Sequence, residues 1–252
     1  YLMKQNILFF TALKANDPNM MAYQEWSLKT WQYYADKYGH RLIVLKDALY
    51  DTEWMRPTWQ RWYVYDILEH NNIEYDQVAL IDIDTMVRWD TPDIFELSEG
   101  RYAGVIDDLS IEWLFNSVNG YKEFFPEVNL QWDKYINNGV LVLPREGGKE
   151  FCKKVTQFYL DNVDSLRDKQ HVSLKKGTDQ TPINYLALES FGEDIKYLSK
   201  KYNMTHMYKT HAFIEDIYIK CSYIWHFNGL PRDQRDAFMK MTWEKIKHNY
   251  EN

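Results

Sequence analysis

Two aspartates that follow a buried-looking apolar run are the residues of this sequence best suited to chemistry. Asp82 and Asp84 stand two positions apart, directly after Val78–Ile81. Residues two apart in an extended chain point to the same side, so we expect both carboxylates to face one space. Two anions placed in this way repel each other unless a cation lies between them, and Mg²⁺ and Mn²⁺ favour oxygen ligands. The pair predicts a divalent metal site, although a solvated turn rich in aspartate would contain the same residues.

A histidine and a third aspartate lie near the ends of two other apolar runs. His226 belongs to the run Ser222–Phe227, and Asp107 follows Tyr102–Ile106. Imidazole tolerates Mn²⁺ better than Mg²⁺, so two aspartates with one histidine form a sensible ligand set for Mn²⁺. A single histidine among seven is nevertheless more often a core or surface residue than a ligand. For Asp107, a solvated position at the end of a loop is as good an explanation as a role in a functional site.

These residues need elements that bring them together, and the pattern of the chain predicts such elements. Apolar runs typical of strands cover Asn6–Leu13, Arg41–Leu45, Gln77–Ile81, Tyr102–Ile106, Gly139–Leu143 and Ser222–Phe227. Helical periodicity covers Tyr23–Tyr38, a segment from a Thr58 cap to about His70, Lys149–Leu166, Asp179–Ser190 and Asp233–Tyr250. We expect Gly39 to end the first helix, and a long loop with short helices at Asp108–Tyr135.

The alternation of strands and helices predicts an α/β fold with a mostly parallel central sheet flanked by helices. No linker, repeat or charge block divides the chain, so we expect one domain over residues 1–252. Ligands of open α/β sheets bind beyond the carboxyl ends of the strands. This rule places Asp82, Asp84 and Asp107 at the binding edge.

Composition excludes several classes of partner. The 252 residues carry a net charge of −7, which argues against a nucleic-acid partner. No apolar stretch approaches the length of a membrane span, and no basic-then-apolar leader precedes the first strand. Cys152 and Cys221 are too few for a disulfide framework, so we expect both to be buried, reduced thiols in a cytoplasmic protein.

Aromatic residues make up 17% of the chain, an unusually large share. Rings fill cores, but rings on a surface can also stack on the faces of sugars. Trp113, Phe115, Tyr121 and Trp132 fall in the long predicted loop. They could form a platform for a sugar or could simply pack in the core.

Five segments, taken in order, resemble glycosyltransferase family 8, a family of the GT-A (Rossmann-like) fold that includes glycogenin and bacterial lipo-oligosaccharide galactosyltransferases. The segments are Arg61 in the helix before the third strand, Tyr75–Val87 with its Asp-x-Asp, Tyr135–Leu143, Thr178–Asn184 and His226–Arg232. The five segments in this order indicate the family far more specifically than any one segment does. The resemblance implies a metal-dependent transferase that moves a sugar from a nucleotide donor, expected to be a uridine diphosphate sugar, to a carbohydrate hydroxyl with retention.

The resemblance also implies roles for individual residues. Asp82, Asp84 and His226 would bind Mn²⁺ or Mg²⁺, and Arg232 would meet the departing diphosphate. Asp179 and Gln180 would face the donor sugar, where Gln180 would act by electrostatic stabilisation because an amide is a poor nucleophile. The residues implied to bind substrate are Thr11, Ala12, Arg61, Ile83, Asp107, Asn137, Asn138 and Gly229.

The chain departs from the family pattern in three places. Arg232 stands where the family usually has Lys, and a guanidinium can also bind phosphate. Asp233-Gln234 replace the family's Pro-Trp, and Asn138 replaces a small residue. The first departure keeps the charge, whereas the second puts the position of Arg232 in question and the third predicts a narrower sugar pocket.

Three alternatives stay open from the sequence. Inversion would need a carboxylate base, and Asp107, Asp108 and Asp179 are all available. A nucleotidyltransferase acting on sugar phosphates would also use paired carboxylates, but it would usually carry a basic, glycine-rich loop after the first strand. That loop here has one lysine and no glycine. A non-catalytic carbohydrate-binding protein would have no need of the paired aspartates.

Overall fold

A computed structural model describes residues 5–13, 23–175 and 179–251, apart from the side chains of Arg232 and Asp233. The strands alternate with helices along much of this part of the chain. They are β1 Gln5–Thr11, β2 Arg41–Leu45, β3 Tyr75–Asp82, β4 Thr85–Val87, β5 Ala103–Ile106, β6 Ile136–Val142, β7 Lys196–Leu198 and β8 Ile224–His226.

The α-helices range from four to 21 residues in length. They are α1 Gln24–Tyr38, α2 Pro57–Gln60, α3 Val64–His70, α4 Ile94–Ser98, α5 Ile111–Tyr121, α6 Gly148–Asp168, α7 Gln180–Phe191, α8 Ile217–Cys221 and α9 Arg232–Ile246. A 3₁₀ turn at Arg61–Tyr63 joins α2 to α3, and another lies at Trp132–Lys134. Within the described residues, no helix has both the length and the apolar character that crossing a bilayer requires.

Within the described residues, six strands form one sheet in the order β2-β1-β3-β6-β5-β7. The pairs β1/β2, β1/β3 and β5/β7 are parallel, whereas β6 runs antiparallel to both of its neighbours. The sheet is therefore mostly parallel, as the alternation predicts. A second sheet pairs β4 with β8 in antiparallel register, with Thr85 opposite His226.

Helices cover both faces of the large sheet. Ile7 and Phe9 of β1 pack into the core on the side of α6 and α7, whereas Leu8 and Phe10 pack on the opposite side with Trp31 of α1. Successive residues of a strand point to opposite faces, so a strand that is covered on both sides reads as a continuous apolar run. This requirement explains the unbroken apolar sequence of β1.

Several local expectations are corrected by the structure. The second helical segment begins at Pro57 with Arg56 as its N-cap, because proline suits the first helical position, so Thr58 is not the cap. The region Asp108–Tyr135 does contain helices, as expected, although one of them, α5, is 11 residues long. Cys152 is buried as expected, but Cys221 is exposed at the end of α8. Gly39 does end α1, in the left-handed conformation.

Candidate active site

The ends of three strands meet at one edge of the large sheet. Asp82 ends β3, where it pairs with Thr11 at the end of β1. Asp107 follows β5, and its backbone N–H donates to the carbonyl of Tyr135 at 2.7 Å. Because β6 runs antiparallel to β3 and β5, it begins at this same edge with Asn137 among its first residues. The topology thus gathers the polar residues that the sequence singles out.

The metal-ligand candidates lie together at this edge. One ligand atom from each of Asp82, Asp84 and His226 lies within 4.8 Å of the other two. The Nε2 atom of His226 is 3.2 Å from Asp84 Oδ1 and 3.5 Å from Asp82 Oδ2. The pairing of β4 with β8 explains how a residue so distant in sequence arrives here. Strand β3 ends at Asp82, so the turn into β4, rather than extended geometry, places Asp84.

Two arginines hold the carboxylate oxygens that face away from His226. Arg61 Nη1 lies 2.7 Å from Asp82 Oδ1, and Arg235 Nη1 lies 3.2 Å from Asp84 Oδ2. Each carboxylate therefore keeps one oxygen on an arginine and turns the other toward the histidine. Arg235 was missed by the sequence reasoning, because no motif distinguishes it from the other charged residues in the first turns of α9.

The charges at this centre shift one another's pKa values. Burial opposes the charged form of His226, but Asp84 and then Asp82 outweigh it, so the pKa of His226 is raised. Burial likewise opposes ionisation of Asp84, but His226 and Arg235 outweigh it and lower the pKa of that carboxyl. Partial loss of hydration raises the pKa of Asp82, although 37% of that side chain is exposed. The positive charge of Arg61 acts in the opposite direction. The centre thus favours positive charge at the position between the carboxylates.

The residues implied to face the donor sugar form one hydrogen-bonded group. Gln180, the first residue of α7, donates from Nε2 to Asp107 Oδ2 at 2.8 Å and accepts from the backbone N–H of Asn138 at 3.0 Å. Asn137 Nδ2 also donates to Asp107 Oδ2, at 3.0 Å. Asp179 Oδ2 lies 3.5 Å from Asn138 Nδ2. Asp107 is buried and accepts these amides, so it is not a solvated loop end.

Arg61 is also buried against this group. Its Nη2 donates to the carbonyl of Asn138 at 3.0 Å and lies 3.7 Å from Asp179 Oδ2. Only 5% of Arg61 is exposed, so its guanidinium is an internal partner of Asp82, Asp179 and Asn138. Arg61 therefore links the aspartate pair to Asn138 and Asp179.

The remaining candidates lie at varied depths around the edge. Ala12 and Ile83 are buried, and the hydroxyl of Thr11 is buried without a hydrogen-bond partner. Gly229 has φ +71°, a conformation that glycine adopts without strain. Arg232 is the first residue of α9, but its side chain lies outside the described part of the chain, as do Thr178 and the loop residues 14–22.

The four aromatic residues proposed as a platform separate into two pairs. Tyr121 is fully buried, and Trp113 packs edge-on against Tyr135 with ring centroids 6.3 Å apart. Phe115 and Trp132 are 59% and 49% exposed and line a cavity of about 340 Å³ between α5 and the 3₁₀ turn at Trp132–Lys134. Core packing thus explains the first pair, whereas the second pair faces a cavity.

A protein-family model described as glycosyl transferase family 8 matches residues 5–231. The chain belongs to glycosyl transferase family 8. It is therefore a glycosyltransferase, and its structure holds an Asp82–Asp84–His226 group that could bind a metal ion. A comparison with curated proteins gave no match.

Solved structures share the fold of this chain. A glycosyltransferase involved in glycosylating the major capsid of PBCV-1 is 14% identical, with a TM-score of 0.60 over 93% of this chain and 98% of that one. The apo form of the glycosyltransferase GlyE of Streptococcus pneumoniae TIGR4 is 17% identical, with a TM-score of 0.50 over 98% of this chain and 63% of that one. At these identities the likeness shows the fold alone.

Proposed function

We propose that residues 1–252 form one catalytic domain that transfers a sugar from a uridine diphosphate sugar to a carbohydrate hydroxyl, with Mn²⁺ or Mg²⁺ and with retention of configuration. The observation that carries the proposal is the convergence of Asp82 Oδ2, Asp84 Oδ1 and His226 Nε2 beyond the carboxyl end of β3. Family membership supplies the reaction class. The convergent ligand atoms supply the reason to expect a metal and a diphosphate.

The donor set fits a divalent ion on its own chemistry. Two carboxylate oxygens and one imidazole nitrogen suit Mn²⁺, and the other two carboxylate oxygens are already occupied by Arg61 and Arg235. Three protein ligands leave coordination positions for phosphate oxygens. When bound, such an ion neutralises the diphosphate as a Lewis acid and so stabilises it as a leaving group.

Cationic groups around the same point suit a departing diphosphate. Arg232 begins α9, a 15-residue helix, so the positive end of the helix dipole lies beside it. Arg235 Nε and Nη2 donate to the carbonyls of Phe227 and Leu230, at 3.1 and 3.3 Å, and so fix the loop that carries Gly229. We propose that Arg232 meets the charge that grows on the diphosphate, while Arg235 holds the loop in place.

The hydrogen bonds of Asp107 and Asp108 argue against either carboxylate as the base that inversion would need. Asp107 Oδ2 accepts from both Gln180 and Asn137, and its Oδ1 accepts from the backbone N–H of Asp108 at 2.9 Å. Asp108 forms ion pairs with Lys200, at 2.8 Å, and with His206. Burial opposes ionisation of Asp108, but Lys200 outweighs it and lowers the pKa of the carboxyl. A carboxylate held in this way is a poor general base, so the proposal assigns proton acceptance to the donor phosphate.

The cavity beside Phe115 and Trp132 suits a carbohydrate acceptor. Exposed aromatic rings can stack on sugar faces, and the side chains of Asn119, Gln131 and Asp133 on the cavity wall can hydrogen-bond hydroxyls. Among the described residues that line it, none is a lysine or an arginine, which favours a neutral sugar over a phosphorylated one. Helix α5, which forms one wall of the cavity, begins shortly after Asp107, and Asp107 belongs to the hydrogen-bonded group proposed to face the donor sugar.

An acceptor-dependent assay tests this function. The protein is incubated with Mn²⁺, each of a panel of uridine diphosphate sugars and a set of neutral glycans, and release of uridine diphosphate is measured. We expect release that rises when an acceptor is added, and an α-linked first product by proton NMR from an α-linked donor. Pyrophosphate release from a nucleoside triphosphate would indicate a nucleotidyltransferase. Binding without release from any donor would indicate a non-catalytic protein, and a β-linked product would indicate inversion.

A further inference from the structure

A buried asparagine outside the sequence motifs contacts the metal-ligand histidine. Asn203 lies in the segment between β7 and β8, is fully buried, and places its Oδ1 3.0 Å from His226 Nδ1. The other ring nitrogen, Nε2, faces Asp82 and Asp84. Metal-binding histidines usually donate their second N–H to an outer partner, which fixes the tautomer and the ring orientation.

The backbone N–H of Gly139 identifies, through Asn137, which end of the Asn203 amide is the oxygen. The N–H of Gly139, which can only donate, lies 2.9 Å from Asn137 Oδ1 and so identifies that atom as the oxygen. The same oxygen accepts from Asn203 Nδ2 at 2.9 Å. The opposite end of the Asn203 amide, the oxygen, must then face His226. In the neutral ring, the form that binds a metal ion, the hydrogen therefore lies on Nδ1 and the lone pair of Nε2 faces the aspartate pair.

A glycine beside the ring leaves the space that this orientation needs. A Cβ atom added to Gly139 would lie 2.2 Å from His226 Cε1 and 2.9 Å from Asn137 Oδ1. The absence of a side chain at Gly139 thus makes room for the imidazole next to the hydrogen-bonded relay. The backbone N–H of His226 also donates to the carbonyl of Met204, the residue after Asn203, at 2.8 Å.

We propose that Asn203 is a positioning residue that presents Nε2 of His226 to the divalent ion as a lone pair. The proposal rests on the metal site proposed above and adds how this chain prepares it. Asn137 Nδ2 continues the relay to Asp107, which also accepts from Gln180. The same chain of hydrogen bonds therefore joins the ligand histidine to the group proposed to face the donor sugar.

Calorimetric titration of Mn²⁺ into the metal-free full chain tests the proposal without reference to activity. Asn203→Leu keeps a similar volume but removes the acceptor, and loss of an outer partner of this kind lowers metal affinity by about 10–100-fold. Asn203→Asp keeps an oxygen for Nδ1–H but loses the donor to Asn137 Oδ1, so we expect it to lose less affinity than Asn203→Leu. Asn162→Leu is the matched control, because Asn162 lies in α6 and donates to the carbonyl of Phe158 rather than to His226 or Asn137. That variant should bind Mn²⁺ like the wild type.

The possible outcomes separate the two proposals. A wild-type chain that takes up no Mn²⁺ contradicts the metal site itself. Wild-type binding with unchanged affinity in Asn203→Leu overturns the role of Asn203. Near-ultraviolet circular dichroism checks the fold of each variant. If the leucine variant does not fold, Asn203→Ala provides the same comparison, with loss of affinity supporting the role and unchanged affinity overturning it.

Discussion

Replacing Arg61 with methionine should destabilise the protein, because this guanidinium is buried among carboxylates. Arg61 lies 2.7 Å from Asp82 Oδ1 and 3.7 Å from Asp179 Oδ2, and its side chain is 6% exposed. Methionine approximates the length of the stem but removes the charge and the donor to the Asn138 carbonyl. The variant leaves two carboxylates without their shared cation.

The expected loss follows from the burial of these partners. Breaking a buried ion pair by removing one partner costs about 3–5 kcal/mol. Asp82 is 37% exposed, so water can solvate it and the lower end of that range applies, about 3 kcal/mol. For a chain of this size, such a loss lowers the melting temperature by roughly 6–12 °C. Arg145→Met is the matched control, because the Arg145–Asp76 pair is 51% and 39% exposed and should contribute at most about 1 kcal/mol.

Urea denaturation of the metal-free protein measures both changes, and a double-mutant cycle identifies their source. Combining Arg61→Met with Asp82→Asn removes one of the two unpaired charges, so we expect the double variant to recover part of the stability lost in Arg61→Met. A loss in Arg61→Met no larger than that in Arg145→Met would refute the reasoning. Strictly additive effects of the two substitutions would also refute it, because they would show that Arg61 and Asp82 do not interact.

Three further predictions address the site. Arg232→Ala should lower kcat strongly with a smaller change in donor affinity, and Arg232→Lys should restore part of kcat; wild-type kcat in Arg232→Ala would place the diphosphate partner elsewhere. Trp132→Ala should raise the KM for a glycan acceptor while leaving donor affinity by calorimetry unchanged, and the reverse pattern would remove the cavity from the acceptor site. Because the pKa of His226 is raised above 6.5, its charged form stabilises the metal-free protein at low pH, and this contribution is lost as pH rises through the raised pKa. Since Mn²⁺ competes with that proton, the increase in melting temperature caused by Mn²⁺ should grow over the same rise in pH, and an increase that shrinks would contradict the assignment of His226.

The sequence predicts the parts of the site that depend on residue type near the ends of strands. Asp82, Asp84 and Asp107 follow apolar runs, and parallel strands bring such ends to one edge of the sheet. The direction of β6 could not be predicted, because a short apolar strand has the same pattern in either direction. Its antiparallel course is what brings Asn137 to the edge.

The residues that the sequence reasoning missed act through contacts between distant segments. Asn203 reaches His226 and Asn137 only after β7 and β8 are in place, and Arg235 reaches Asp84 only when α9 has packed. Neither residue follows an apolar run or stands in a motif. The burial of Arg61 beside Asp82 and Asp179 could not be predicted for the same reason, because it depends on the packing of the 3₁₀ turn at Arg61–Tyr63 rather than on residue type.

The central claim is that a divalent ion held by Asp82, Asp84 and His226 is required for transfer. The most direct test measures donor-dependent release of uridine diphosphate by the wild type and by Asp84→Asn, each with Mn²⁺ and with a chelator. Asparagine keeps the volume of the side chain but removes the ligand charge, and loss of a direct ligand should exceed the 10–100-fold effect of losing an outer partner. We expect Asp84→Asn to lose more than about 100-fold in rate while keeping its fold, and the wild type to lose activity in chelator. Full activity of Asp84→Asn in chelator would contradict the account.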